Sequence, residues 1–266
     1  MARRRPNHLG TIEYIGPRPQ KPPRRSNFLA GWVVLLVAAG AVYFFGKPFL
    51  PLLRAQQVAP TSERADALIA GLQPSAAIGD RLAAASLQRT QSSVTYEDAY
   101  YKIPYPNGDI PTGKGRAEDL VVRSYRALGV DLQKRVHEDM ARNFSEYPQI
   151  FGRKSADANI DHRLTANLQR FFRRAGAELL VTGPEGDEAS RDVADYKPGD
   201  VVTWRLAGGR SHIGIVVPGP GENRSEPWVV HNIGEGPVWE DCLFNFKVIG
   251  HYRYTGEESV DVTALG

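Results

Sequence analysis

Cysteine is nearly missing from this chain: Cys242 is the only one in 266 residues. No intramolecular disulfide can form, so the fold depends on its core alone, even in an oxidising compartment. A large excess of one charge is missing too. Lys and Arg number 33 against 30 Asp and Glu, a net charge of +3. Much of that excess lies at the start, where Arg3, Arg4, Arg5, Arg18, Lys21, Arg24 and Arg25 face Glu13 alone. The remainder is close to neutral and carries no nucleic-acid footprint. No internal repeat occurs, and the histidines and carboxylates come from separate blocks without metal-type spacing, so neither metal nor cofactor is expected.

One long uncharged run is present. From Phe28 to Phe45, "FLAGWVVLLVAAGAVYFF" extends for about 18 residues, near the minimum for crossing the hydrocarbon core as a helix. Trp32, Tyr43 and Lys47 fit interfacial anchors, and the basic N-terminal flank places the N-terminus in the cytoplasm. A cleaved signal peptide is the competing reading, but "LPLLRAQQ" makes a poor cleavage site. The expectation is a single-pass protein of the cytoplasmic (inner) membrane with its C-terminal domain outside. Residues 1–27 form a disordered basic tail, 28–46 a signal-anchor helix, 47–62 a linker, 63–256 the folded domain and 257–266 a C-terminal tail.

Within the domain, apolar residues recur at helical spacing from Ala67 to Leu87, which predicts one early helix with an interruption at Pro74. "YYKIPYPNGDIPTGKG" reads as an ordered loop, with Tyr105 either lining a groove or bracing that loop. Helices follow near Arg116 to Leu128, over Leu132 to Tyr147, and from Thr165 to a stop at Gly176. On the first of these, Ala117, Val121, Ser124 and Leu128 share one face, which turns Ala117 inward. Glu178 to Asp195 reads as a surface loop. From Lys197, "KPGDVVTWRL", "SHIGIVV", "PWVVHNI" and "FKVIGHYRY" are short β-branched or aromatic runs between turn formers, as in consecutive antiparallel strands. Helices first and a meander second give an α+β class.

His212 and His231 stand out because each lies on a predicted strand, and hairpin neighbours bring such side chains within reach of each other. "PGDVVTW", "HIGIVV" and "VVHNIG" resemble the strand core of NlpC-type cysteine peptidases, papain-like enzymes that cut peptide bonds in bacterial cell walls. More closely, the stretch from about Leu82 to Tyr254 resembles a bacterial domain family of unknown function distantly related to those peptidases. The blocks "VTYEDAYYKIPYPNGDIP", "DLVVRSYRALGVDLQKRVHEDM", "NIDHRLTANLQRFF" and "IGHYRY" carry that match with the strand motifs.

The resemblance implies a papain-like fold, His212 as base, His231 as its orienting partner and a cysteine nucleophile at the position of Ala117. An alanine methyl has no lone pair, so covalent catalysis by that route is excluded. The resemblance therefore points to a non-catalytic binding or scaffold domain, with peptidoglycan peptides or an envelope protein as partner. The alternative is an amide hydrolase using His212 and His231 with a carboxylate or metal-activated water. Cys242, among Leu243, Phe244 and Phe246, reads as a small buried hydrophobe. Glu118 and Asp119 read as helix-start carboxylates. Asp161, His162 and Arg163 form either a cleft wall, with Arg163 clamping a carboxylate, or an internal polar network. Asn232, beside His231, completes the binding candidates.

Overall fold

The computed structural model describes residues 62–183, 186–221 and 226–257, together with Trp32, Leu35 and Leu36. The expected tail 1–27, most of the anchor 28–46, the linker but for Ser62, and the C-terminal tail beyond Glu257 lie outside the described residues. Among the described residues no helix is long and apolar enough to cross a membrane. The residues from Gln56 onward form one compact unit.

The predicted α+β class holds, with one correction at its start. Two helices, α1 (62–72) and α2 (Ile78–Arg89), replace the single early helix. Pro74 lies in the turn between them, where its missing N–H and fixed φ end a helix at little cost. Ala65, Leu68, Ile69 and Leu72, one stripe of α1, are buried. Short strands β1 (Thr95–Tyr96) and β2 (Lys114–Gly115) then pair in parallel at either end of the Tyr/Pro-rich loop. The helix α3 (Ala117–Arg126) follows, then α4 (Leu132–Arg142) and α5 (Thr165–Arg174). Gly129 and Gly176, at φ of +80° and +69°, supply the left-handed residue just past α3 and α5.

A second correction falls at residues 178–195. That stretch holds the hairpin β3 (Val181–Gly183) and β4 (Gly186–Glu188) rather than loop alone. Three-residue strands are too short to produce a readable alternation.

The main sheet comprises β5 (Val201–Arg205), β6 (Ser211–Pro218), β7 (Pro227–His231), β8 (Val238–Glu240) and β9 (Lys247–Tyr252), all antiparallel, in the order β8-β7-β6-β5-β9. The meander runs from β5 to β8. The last strand then returns to the far edge and pairs with β5, a step that the sequence pattern does not foretell.

Both faces of the sheet are covered, which explains why "HIGIVVP" is apolar without alternation. One face carries Val201, Ile213, Ile215, Val217 and Val230 against α3 and α5, including Leu120, Val121, Tyr125, Leu168 and Phe172. On the other, Val202, Trp204, Val216 and Val229 pack beneath Tyr196, Cys242 and Leu243. Trp204 Nε1 donates to the Leu243 carbonyl at 2.7 Å, fastening the segment after β8 over that face.

Candidate functional site

His212 is the second residue of β6 and His231 the last of β7. In the β6–β7 ladder His231 stands opposite Gly214, two residues beyond His212 on the same face. The histidines are therefore diagonal neighbours, and His212 Nε2 lies 3.1 Å from His231 Nδ1 with the rings edge to face. Trp204, paired with His212 across β5–β6, stacks on its ring at 5.7 Å between centroids. Both imidazoles are buried. Burial, with His231 and Arg210 adding to it, lowers the His212 pKa to about 3. Burial also lowers that of His231, against a smaller opposing pull from Glu240. The two rings are neutral at pH 7.

The sequence reads Cys242 as a small hydrophobe among apolar neighbours, and it does pack in the second cluster. It also makes a contact that the sequence does not reveal: the β7–β8 hairpin carries its Sγ to 3.3 Å from His231 Nε2. Burial, then Glu240 and Asp241, pushes the thiol pKa up to about 12. The protonated thiol is the donor in this contact, because an imidazole nitrogen accepts more strongly than sulfur. His231 then carries its proton on Nδ1 and donates to His212 Nε2, which puts the proton of His212 on Nδ1. No described residue accepts from that Nδ1. The chain Cys242, His231, His212 thus ends in a free N–H.

His212 lines a cleft of about 480 Å³ together with Ala117, Glu118, Thr165, Arg210 and Asn232. Ala117 is the first residue of α3 and is buried. Glu118 turns away from its own helix and accepts from the Thr165 N–H at 3.1 Å and from Thr165 Oγ1 at 2.5 Å, joining the starts of α3 and α5. Asn232 donates to the Gly115 carbonyl at 3.3 Å and accepts from Gly234 N–H at 3.1 Å, so both ends of its amide are held.

The other expected site residues do not line this cleft. Asp119 accepts from the Arg116 N–H at 2.9 Å at the start of α3 and takes a forked pair of bonds from Arg163, at 2.7 Å and 3.1 Å. Arg163 is fully buried and also donates to the carbonyls of Ala99 and Glu97, so its guanidinium is committed inside the protein. Asp161, buried as well, joins His137, Arg153 and the Asp157 N–H. Burial and the neighbouring Arg163 and Arg126 lower the His162 pKa to about 3. Tyr105 is exposed, with its hydroxyl donating to Glu138 and its ring edge-on to His137. Of the two readings open for the 161–163 block, the internal network is the one the geometry matches.

One group of donors among the described residues has metal-compatible spacing: His231 Nε2, Cys242 Sγ and a Glu240 carboxylate oxygen lie within 4.8 Å of one another. An ion there would take the Nε2 side of His231, whereas Nδ1 faces His212.

A family model for a domain of unknown function, DUF1287, matches residues 83–254, from α2 through the last strand. Uncharacterized protein YijF of Escherichia coli (strain K12) is 46% identical over 167 residues, which cover 63% of this chain and 77% of that protein. No solved structure matches. With most of its folded unit inside the matched region, this chain belongs to the DUF1287 family.

Proposed function

We propose that the domain binds a polypeptide of the cell envelope in the Ala117–His212 cleft without cutting it, as an NlpC-like domain that lacks its nucleophile. In this reading residues 28–46 anchor it to the cytoplasmic membrane with the domain outside, and peptidoglycan peptides are the leading ligand. One observation carries it. A buried, neutral imidazole, oriented by a second one, shares a cleft with the methyl group of Ala117, which begins a helix. That arrangement has the parts of a thiol peptidase site apart from the sulfur. Cys242 does not replace it, because its thiol stays protonated and bonds the far nitrogen of His231.

What remains is a binding device. The free Nδ1–H of His212 and the partial positive charge at the start of α3 both suit a carbonyl or carboxylate oxygen. The test incubates the full-length protein with stem peptides released from cell walls, follows products by mass spectrometry and measures association by calorimetry. Saturable association without new products is expected. Cleavage abolished by His212→Ala would overturn the reading.

A further inference from the structure

A second cavity, of about 490 Å³, lies next to the cleft, and Arg116 and Asn232 line both. Its charge is lopsided. Arg89, Arg116, Arg123 and Arg126 line it against a single acid, Asp109. Asp109 already serves two of them, at 2.9 Å from Arg123 Nε and 3.1 Å from Arg126 Nη1. Arg123 is further occupied by the carbonyl of Lys114 at 2.8 Å. Arg116 has Glu118 at 3.3 Å, close enough to attract its Nε yet not aligned to accept from it.

Arg89, in the last turn of α2, makes no side-chain hydrogen bond or ion pair among the described residues. The Nε atoms of Arg89, Arg116 and Arg126 are all buried without a partner. Arg116 also donates to the Arg163 carbonyl and Arg126 to the Gly108 carbonyl at 2.9 Å, whereas Arg89 has no such partner; four guanidinium groups against one carboxylate leave the cavity with a positive excess that an anion would offset. The hydroxyls of Ser92 and Ser93 line the same space and add neutral donors. The set suits the oxygens of a carboxylate or phosphate, which guanidinium groups bind in a planar fork.

We propose that this cavity is an anion subsite: Arg89 and Arg126, with Arg116 at the junction, hold an acidic group of the ligand whose neighbouring segment lies in the Ala117–His212 cleft. The extended-ligand part rests on the function proposed above; the anion site itself does not. It also reassigns the clamp that the sequence suggests at Arg163, a residue fully committed to Asp119.

The experiment titrates the full-length protein and its Arg89→Gln variant with inorganic phosphate, with tricarballylate, and with one stem peptide bearing either a free terminal carboxylate or its amide. Arg89 supports no other described residue, so the variant should keep its melting temperature. The free acid is expected to bind about tenfold more tightly than the amide, with that advantage lost in Arg89→Gln and reduced by salt. Preference for phosphate over tricarballylate, also lost in the variant, would identify a phosphate-bearing ligand for the same site. Equal binding of acid and amide, unaffected by Arg89→Gln, overturns the subsite while leaving the cleft reading in place. Anion binding that depends on Arg89 without any peptide binding upholds the subsite and counts against the cleft reading. If no probe binds in an Arg89-dependent way, the subsite is overturned.

Discussion

His231 Nδ1 reaches to within 3.1 Å of His212 Nε2 across a gap that Gly214 leaves open. A Cβ at Gly214 would stand 2.8 Å from Val229 Cγ1, 2.9 Å from the Val230 carbonyl oxygen and 3.1 Å from His231 Cβ. The glycine between the histidine of β6 and its partner strand is therefore a requirement of the pair. Its own conformation is ordinary extended strand.

Gly214→Ala should consequently lower stability by about 1–3 kcal/mol, the usual range for overpacking a filled interior. It should also part the two rings. Denaturant unfolding reads the first effect. The second appears in the imidazole nitrogen shifts, where the proton now fixed on His231 Nδ1 would exchange between ring positions. An unchanged nitrogen spectrum would show that the ring pairing does not depend on this gap.

Restoring sulfur tests the cleft directly. Ala117→Cys puts a thiol at the first position of α3, where the helix dipole and a hydrogen bond from the neutral His212 N–H would both favour thiolate, so its pKa should fall below the ordinary value of about 8.5. Cys242 supplies the internal control, since burial holds its thiol up to about 12 and it should not alkylate near neutrality. Mass-resolved alkylation between about pH 5 and 9 separates the two. His212→Ala in the same background should raise the pKa of the new thiol. Reactivity no greater than that of an exposed cysteine would mean the cleft has lost its activating geometry along with its sulfur.

Much of this site is legible in sequence because its parts sit at element boundaries that punctuation marks. The acidic pair Glu118 and Asp119 announces the start of α3. The turn after Leu206 and the apolar run from Ile213 place His212 at the head of a strand. Cys242 is harder. Its role depends on β8, only three residues long, folding back so that a residue 11 positions after His231 meets its other ring nitrogen. The return of β9 to β5 is invisible for a similar reason: edge choice is decided by packing across the sheet, and local pattern carries no information about it. The paired early helices are half legible, since Pro74 marks an interruption without saying that the chain turns there.

Acid should destabilise the domain earlier than carboxylate titration alone would. His212 and His162 have pKa values lowered by burial from 6.5 to about 3. Folded, they bind fewer protons than unfolded, so the associated stability is complete above about pH 6.5 and drains as pH falls toward 3. Each contributes a slope of about 1.4 kcal/mol per pH unit in that window. Asp200 acts lower. Burial raises its pKa, but bonds from His251, Arg253 and the Lys197 N–H outweigh that, so its contribution is lost only beneath the ordinary aspartate range. Denaturant midpoints should hold from about pH 7.5 to 6.5 and then fall steadily to about pH 4.5, and His162→Gln should flatten the curve by the share of one histidine. A midpoint constant between about pH 6.5 and 5 would contradict the neutral, buried assignment.

Asp119 and Arg163 connect the cleft to the rest of the domain. The carboxylate holds the N–H of Arg116 at the start of α3, while the guanidinium reaches the carbonyls of Ala99 and Glu97 in the loop before the cis bond at Tyr105–Pro106. Neither side chain touches water appreciably, at 3% and 0% exposure. Removing one partner strands the other's charge where no solvent can replace it. Asp119→Leu and Arg163→Met should each cost about 3–5 kcal/mol, yet the double variant should cost much less than their sum, because no unpaired charge remains. Denaturant melts of the four proteins close the cycle. Asp119→Leu should also loosen the first turn of α3, read as faster amide exchange at Ala117 and Glu118, whereas Arg163→Met leaves the acceptor for the Arg116 N–H in place. That effect should persist in the double variant, since a leucine side chain offers the Arg116 N–H no acceptor, and its persistence separates the capping role of the carboxylate from its role as a counter-ion. Additive stability losses would mean that the pair is solvated in solution and does not hold the cleft's helix in place.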